Sequence, residues 1–253
     1  MTIRTVNTNG VAVIEIARPE KKNALTQAMY TAMAEAIAAA DADAAIRAVL
    51  ITGQPGIFTS GNDLEDFMTR PPQGEDSPVF QFMKALAECG KPVVAAVTGG
   101  AIGIGTTMLL HCDLVYVSDE ARLAMPFVGL GLVPEYASSL LVTQRVGHAK
   151  ATELLLLGEP FNGEAAVEMG IANAVLPAAE VVNHARRMAE RFNALPPGAV
   201  RDCKRLMRRA RSQSTMETIA TEGELFAARL RSPEAQEAFS AFFQKRKPDF
   251  AKF

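Results

Sequence analysis

Cysteine is scarce in this sequence: Cys89, Cys112 and Cys203 are an odd set without metal-ligand or redox spacing. That pattern suits free thiols in a reducing compartment rather than a disulfide framework. Histidine is equally sparse. His111, His148 and His184 stand far apart, with no His-x-x-x-His or Cys–His pairing, so a metal centre or a nucleophilic triad has little support. Neither sign of charge dominates. With 26 basic and 28 acidic residues the net charge is −2, which gives no global pull toward nucleic acid or an anionic membrane. No stretch of about 18 apolar residues runs without a charge, and the opening MTIRTVNTNG lacks the apolar segment of a signal peptide. A soluble, cytoplasmic protein is expected.

What is present is enough apolar residue for a sizeable core: 49% of 253 residues are hydrophobic and 21% charged. Val11–Ala17 and Ala48–Thr52 read as β-branched strands. Between them Leu25, Met29, Met33 and Ile37 recur at four-residue spacing, the inner stripe of a helix. Residues 69–78 read as a solvated loop and Phe80–Glu88 as a helix. Strands follow at Val93–Val97 and Leu114–Val117, separated by GGAIGIG and a short helix ending near His111. The alternation predicts an α/β core. Helices dominate later: Tyr136–Val146, Ala149–Leu157, Glu164–Met169, Ala179–Phe192, and a long stretch after Pro196 and Pro197, which look like a boundary. The basic run KRLMRRAR (204–211) lacks the aromatic interleaving of a base-stacking surface and reads as a solvated helix face.

Three segments could carry chemistry. FTSGNDL (58–64) allows a sharp turn after a strand, leaving amide N–H groups unpaired. GGAIGIG (99–105) opens a helix whose first amides are unsatisfied donors at the positive end of its dipole. It fits neither the dinucleotide fingerprint nor the phosphate loop, and a plain tight turn stays open as its reading. Two such turns facing each other would bind an oxyanion. In the third segment, Pro134 at a helix start places Glu135 in the first turn. Position alone favours a structural glutamate, since acidic residues suit helix N-termini. Its upstream flank, Met125 to Val133, is almost wholly apolar, and a carboxylate there can have a raised pKa and act as a base.

Taken in order, RPEKKNAL (18–25), FTSGNDL, KPVVAAVTGGAIGIG (91–105), CDLVYVSDEARL (112–123), GLVPE with ASS (131–139) and FFQKRKPDF (242–250) resemble the crotonase (enoyl-CoA hydratase/isomerase) family. Each motif is weak alone; six in this order and spacing are specific. The resemblance implies a ββα superhelix over 1–195 with a C-terminal helical trimerisation region over 196–253, assembled as a homotrimer or dimer of trimers. It implies coenzyme A thioesters as substrates, with no metal and no further cofactor. The oxyanion amides would be those of Asn62 and Ile104. Lys22, Ala24, Ser60, Gly61, Asp63 and Leu64 would border the coenzyme A, with Phe242 and Lys245 reaching it across a subunit boundary.

Hydratases of this family activate water with two glutamates, which would fall at Thr107 and Phe127 here, and neither can ionise. Glu135 instead stands where the Δ3,Δ2-enoyl-CoA isomerases have theirs. The resemblance therefore implies a single-glutamate isomerase, with Tyr136 at a position where that branch often has glycine. Another crotonase reaction, such as thioester hydrolysis or atypical hydration, and a non-catalytic acyl-CoA-binding protein are the alternatives.

Overall fold

The computed structural model describes residues 2–72 and 74–253. Met1 of the opening segment and Gln73 of the polar loop expected at 69–78 lie outside the described residues.

The chain begins with an antiparallel hairpin, β1 (Ile3–Thr8) and β2 (Val11–Ile16), followed by α1 (Gln27–Ala42). Thr26 caps α1 by accepting a hydrogen bond from the Met29 N–H. Met29, Met33 and Ile37 are buried on its inner face, as the four-residue spacing predicts.

A strand–strand–helix unit then repeats. The first comprises β3 (Ala48–Thr52), β4 (Ile57–Thr59), α2 (Leu64–Thr69) and α3 (Pro78–Glu88). The second comprises β5 (Val93–Val97), β6 (Gly100–Ile102) and α4 (Ile104–Thr107). The third comprises β7 (Leu114–Ser118), β8 (Arg122–Ala124) and α5 (Ser138–Leu155). β9 (Phe161–Asn162), α6 (Gly163–Glu168), β10 (Ala174–Leu176) and α7 (Ala178–Glu190) complete this part, and α8 (Pro197–Arg208), α9 (Ser212–Arg229) and α10 (Pro233–Phe243) close the chain.

The first strand of each repeat enters a six-stranded sheet, β1-β2-β3-β5-β7-β10, parallel except at the hairpin. The second enters a four-stranded sheet, β4-β6-β8-β9, in which β4, β6 and β8 are parallel. The segments leaving β4, β6 and β8 therefore emerge side by side at one edge. That topology positions the site.

Side-chain alternation separates the two faces of the large sheet. Val13, Leu50, Val94 and Ala96 pack with Val181, Ala185 and Ala189 of α7. Ile14, Ile51, Val93 and Ala95 face the main core, which also takes in Ile219 and Phe226 of α9 and Phe239 of α10. Among the described residues no helix is long and apolar enough to cross a membrane.

Three expectations change. The strands β4, β6, β8 and β9 span only two or three residues each, too short for a period-2 signal, and β6 lies inside the segment read as a glycine-rich turn. The helix expected from Tyr136 begins at Ser138, because Tyr136 and Ala137 are left-handed, with φ of 61° and 55°. Its break at Gly147, expected from the sequence, is present as a kink. Finally, the basic run is only partly a solvated face: Lys204 and Arg208 turn inward and clasp Asp113 at 2.6 and 2.9 Å.

Candidate active site

The loop entering α1 is fastened to the end of β4. Asn23 is fully buried and donates through Nδ2 to the carbonyls of Ile16, Ile57 and Phe58. The Thr59 hydroxyl donates to the Asn23 carbonyl, and the Ser60 N–H to that of Lys22. Beyond β4 the chain runs beside Leu25: the Leu25 N–H donates to the Gly61 carbonyl and the Asp63 N–H to the Leu25 carbonyl, both at 2.8 Å. Alternation in an extended segment then points the Asn62 N–H the other way, where no backbone acceptor meets it among the described residues. The Asn62 side chain accepts a short hydrogen bond from the buried Tyr30 hydroxyl, which fixes the residue from behind.

The partner turn follows β6. Ile104 is the first residue of α4, so its N–H has no acceptor within the helix. Two glycines let the turns touch. A Cβ on Gly61, whose φ is 92°, would lie 2.9 Å from the Ile102 carbonyl oxygen, and one on Gly105 would lie 2.6 Å from Thr59 Cγ2. No side chain fits in either place.

These turns border a cavity of about 760 Å³, lined by Lys22, Ala24, Ser60, Gly61, Asn62, Asp63, Leu64 and Ile104. The structure thus brings together all the residues expected there except Lys245, an exposed residue beyond α10 that is not part of the lining. Phe242 lines the cavity from within the same chain. Asp63 is occupied by the protein itself: one oxygen takes the Arg18 guanidinium at 2.6 Å and the other caps α2 through the Asp66 N–H. Burial opposes its ionisation, yet the Arg18 and backbone hydrogen bonds hold its pKa below the ordinary value.

A second cavity of about 440 Å³ adjoins the first at Asn62, Phe67 and Phe226, and Glu135 lines it. Phe80 and Met83 of α3 and Ile219, Ala220, Gly223 and Ala227 of α9 form its mostly apolar walls. Glu135 is 4% exposed. The expectation that it sits in the first turn of a helix is corrected: it precedes the left-handed pair Tyr136–Ala137, a conformation that costs about 1–2 kcal/mol per residue.

Tertiary contacts hold that turn. The Glu135 carbonyl accepts from the Ser138 hydroxyl at 2.7 Å and the Ser138 N–H at 3.1 Å. The Tyr136 hydroxyl donates to the Met83 carbonyl at 2.8 Å, and its ring stacks on His111 with centroids 3.8 Å apart. Burial lowers the His111 pKa to about 3, so the neutral ring donates through Nε2 to the Tyr136 carbonyl at 2.8 Å.

The carboxyl of Glu135 accepts a 2.6 Å hydrogen bond on Oε1 from the Thr107 hydroxyl. Burial raises its pKa to about 8; the Thr107 hydrogen bond acts against this and the charge of Glu222 adds to it. A carboxylate with that pKa can take up and release a proton near neutrality. Phe127 is buried and lines the larger cavity. Tyr30, His111 and Glu222 had no signal as site residues in the sequence, since each reaches the site through long-range packing; Thr107 stood out only as a position lacking an acid, with no signal of its hydrogen bond to Glu135.

The family model for enoyl-CoA hydratase/isomerase matches residues 6–252. A Bacillus subtilis protein named "Probable enoyl-CoA hydratase" is 30% identical over 246 residues, 95% of each chain. Human "Enoyl-CoA delta isomerase 2" is 32% identical over 252 residues, covering 97% of this chain and 64% of that protein. The solved structure of Pseudomonas aeruginosa OdaA is 55% identical, with a TM-score of 0.94 over 95% of this chain and 98% of that one. Hydratase names predominate among the relatives.

Proposed function

Because the chain belongs to the enoyl-CoA hydratase/isomerase family and has its crotonase fold, we propose that it is a Δ3,Δ2-enoyl-CoA isomerase in which Glu135 moves one proton from C2 to C4. The observation that carries this reading is the buried contact between Glu135 and Thr107. A water-activating pair would need acids at 107 and 127. A hydroxyl that supports the single base stands at the first position, and an apolar ring at the second.

The coenzyme A arm occupies the larger cavity, with Lys21 and Lys22 at its edge to meet phosphates. The acyl chain enters the smaller one. At their junction the thioester oxygen takes the N–H groups of Asn62 and Ile104, each worth about 3–4 kcal/mol to a developing oxyanion. Ionised Glu135 removes a proton from C2, and the electron pair delocalises through the C3–C4 double bond and onto the thioester oxygen. The carboxyl then returns that proton to C4, leaving a C2–C3 double bond and the original carboxylate. Thr107 occupies Oε1, which leaves Oε2 for the transfer. Excluding water protects the proton from exchange with solvent.

In this reading the protein works as a homotrimer or dimer of trimers through residues 196–253. Leu206, Met207 and Phe243 are exposed apolar groups that such contacts would cover.

Hydration is the second reading, favoured by the names of most relatives. Purified protein is given a 3-enoyl-CoA and, separately, a 2-enoyl-CoA, and the conjugated thioester absorbance is followed. Conjugation should appear from the first and be abolished in Glu135→Gln. Rapid water addition to the second, or an active Glu135→Gln variant, overturns the assignment.

A further inference from the structure

Glu222 is a buried carboxyl for which the proton shuttle has no use. It sits on α9, is 6% exposed, and reaches from the C-terminal helices to the start of α5. Its Oε1 accepts the Ser139 N–H at 2.9 Å, while Oε2 is buried without a hydrogen-bond partner among the described residues. A carboxyl kept in this state carries a desolvation cost that the single bond offsets only in part.

What the contact achieves is visible in the backbone. α5 has no side-chain cap of its own, because Ala137 occupies the capping position in a left-handed conformation. Four consecutive residues, 135–138, form the turn that aims the base, and the Glu222 bond pins its downstream end at Ser139. A helix N-terminus welcomes a negative charge there. Burial raises the Glu222 pKa and the hydrogen bonding at Ser139 opposes that rise; when ionised, the same carboxyl acts as a like charge on Glu135.

We propose that Glu222 is a positioning residue for Glu135: it caps from afar the strained turn carrying the base and confronts that base with a second buried negative charge. The inference rests on the assignment of Glu135 as the base. Other groups around Glu135 do not substitute for Glu222. Tyr30 and Tyr136 are buried phenols with pKa values raised by burial, Thr107 donates a neutral hydrogen bond, His111 behind Tyr136 is uncharged, and Glu224 and Arg231 line the smaller cavity with opposite charges. The like charge of Glu222 favours protonated Glu135, which the return step to C4 requires.

The test compares full-length wild type, Glu222→Gln and Glu222→Leu, each checked for its melting temperature. With ¹³C-labelled glutamate carboxyls, the Glu135 resonance is identified by its loss in Glu135→Gln and titrated by NMR. Glu222→Gln keeps an acceptor for Ser139 and removes the charge, so the Glu135 midpoint should fall by on the order of one pH unit. The acid limb of kcat/KM for a 3-enoyl-CoA should move with it. Glu222→Leu removes the cap as well, and hydrogen exchange at Ser139 should accelerate while the Ile104 amide is unaffected. An unchanged Glu135 midpoint in folded Glu222→Gln overturns the proposal. A shifted midpoint in a protein that does not isomerise 3-enoyl-CoA upholds the positioning role and refutes the isomerase reading.

Discussion

The two walls of the candidate site are built differently. The wall proposed to hold an oxyanion is backbone: two N–H groups, at Asn62 and Ile104, offered by turns at the ends of adjacent parallel strands and pressed together through Gly61 and Gly105. The wall carrying the proposed base is side chain: one carboxyl beside a left-handed turn, held by Thr107, Met83, His111 and Glu222 from four other places in the chain. The first wall is nearly immune to side-chain substitution except at its glycines. The second can be altered residue by residue, so the reaction can change while the means of stabilising an oxyanion stays.

The largest effect expected is on the side-chain wall. Glu135→Gln should lower kcat for a 3-enoyl-CoA by about 10²–10⁴-fold, with binding of a saturated acyl-CoA little changed by calorimetry. The backbone wall should yield only to a glycine. Gly61→Ala places a methyl group 2.9 Å from the Ile102 carbonyl oxygen, so the turn must shift, and kcat should fall by about 10²-fold, the cost of misplacing one donor. Asn62→Ala, which spares the N–H, should cost less in the same assay.

Gly223→Leu sharpens the comparison by touching neither wall. A side chain at 223 meets nothing within 4 Å and would enter the acyl cavity. It should lower kcat/KM for long acyl chains about 10-fold while sparing short ones, in a helix that is, if anything, stabilised.

The remaining effect is thermodynamic. Folding raises the Glu135 pKa from 4.5 to about 8, so between those values the folded state binds a proton that the unfolded state has lost. Its contribution to stability is therefore fullest at low pH and declines as pH rises through this window. Scanning calorimetry should find Glu135→Gln gaining in melting temperature over wild type from pH 5 to pH 8.5. The same ionisation should make wild-type kcat/KM rise with pH and level off above about 8.

Much of this was legible in the sequence, for reasons that differ by element. α1 announced itself by the spacing of Met29, Met33 and Ile37, and β3 and β5 by unbroken apolar runs. The unpaired amides of the oxyanion turns followed from glycine placement, but their pairing as Asn62 and Ile104 came from the family resemblance. The start of α5 was misplaced because neither Tyr136 nor Ala137 favours the left-handed region; contacts of Tyr136 with Met83 and His111, and of the adjoining Ser139 with Glu222, help to hold the turn. Those contacts join positions 25 to 83 residues apart, beyond the reach of any local pattern.

The crowding of Tyr30 and Tyr136 into the site has an optical consequence. The chain contains no tryptophan and three tyrosines; one is hydrogen-bonded to Asn62, another is stacked on His111, and Tyr116 lies against His184 outside the site. Near-ultraviolet circular dichroism and intrinsic fluorescence of this protein are thus dominated by tyrosine, and two of its three tyrosines stand at the candidate site. Occupancy of the pocket can be read without a label.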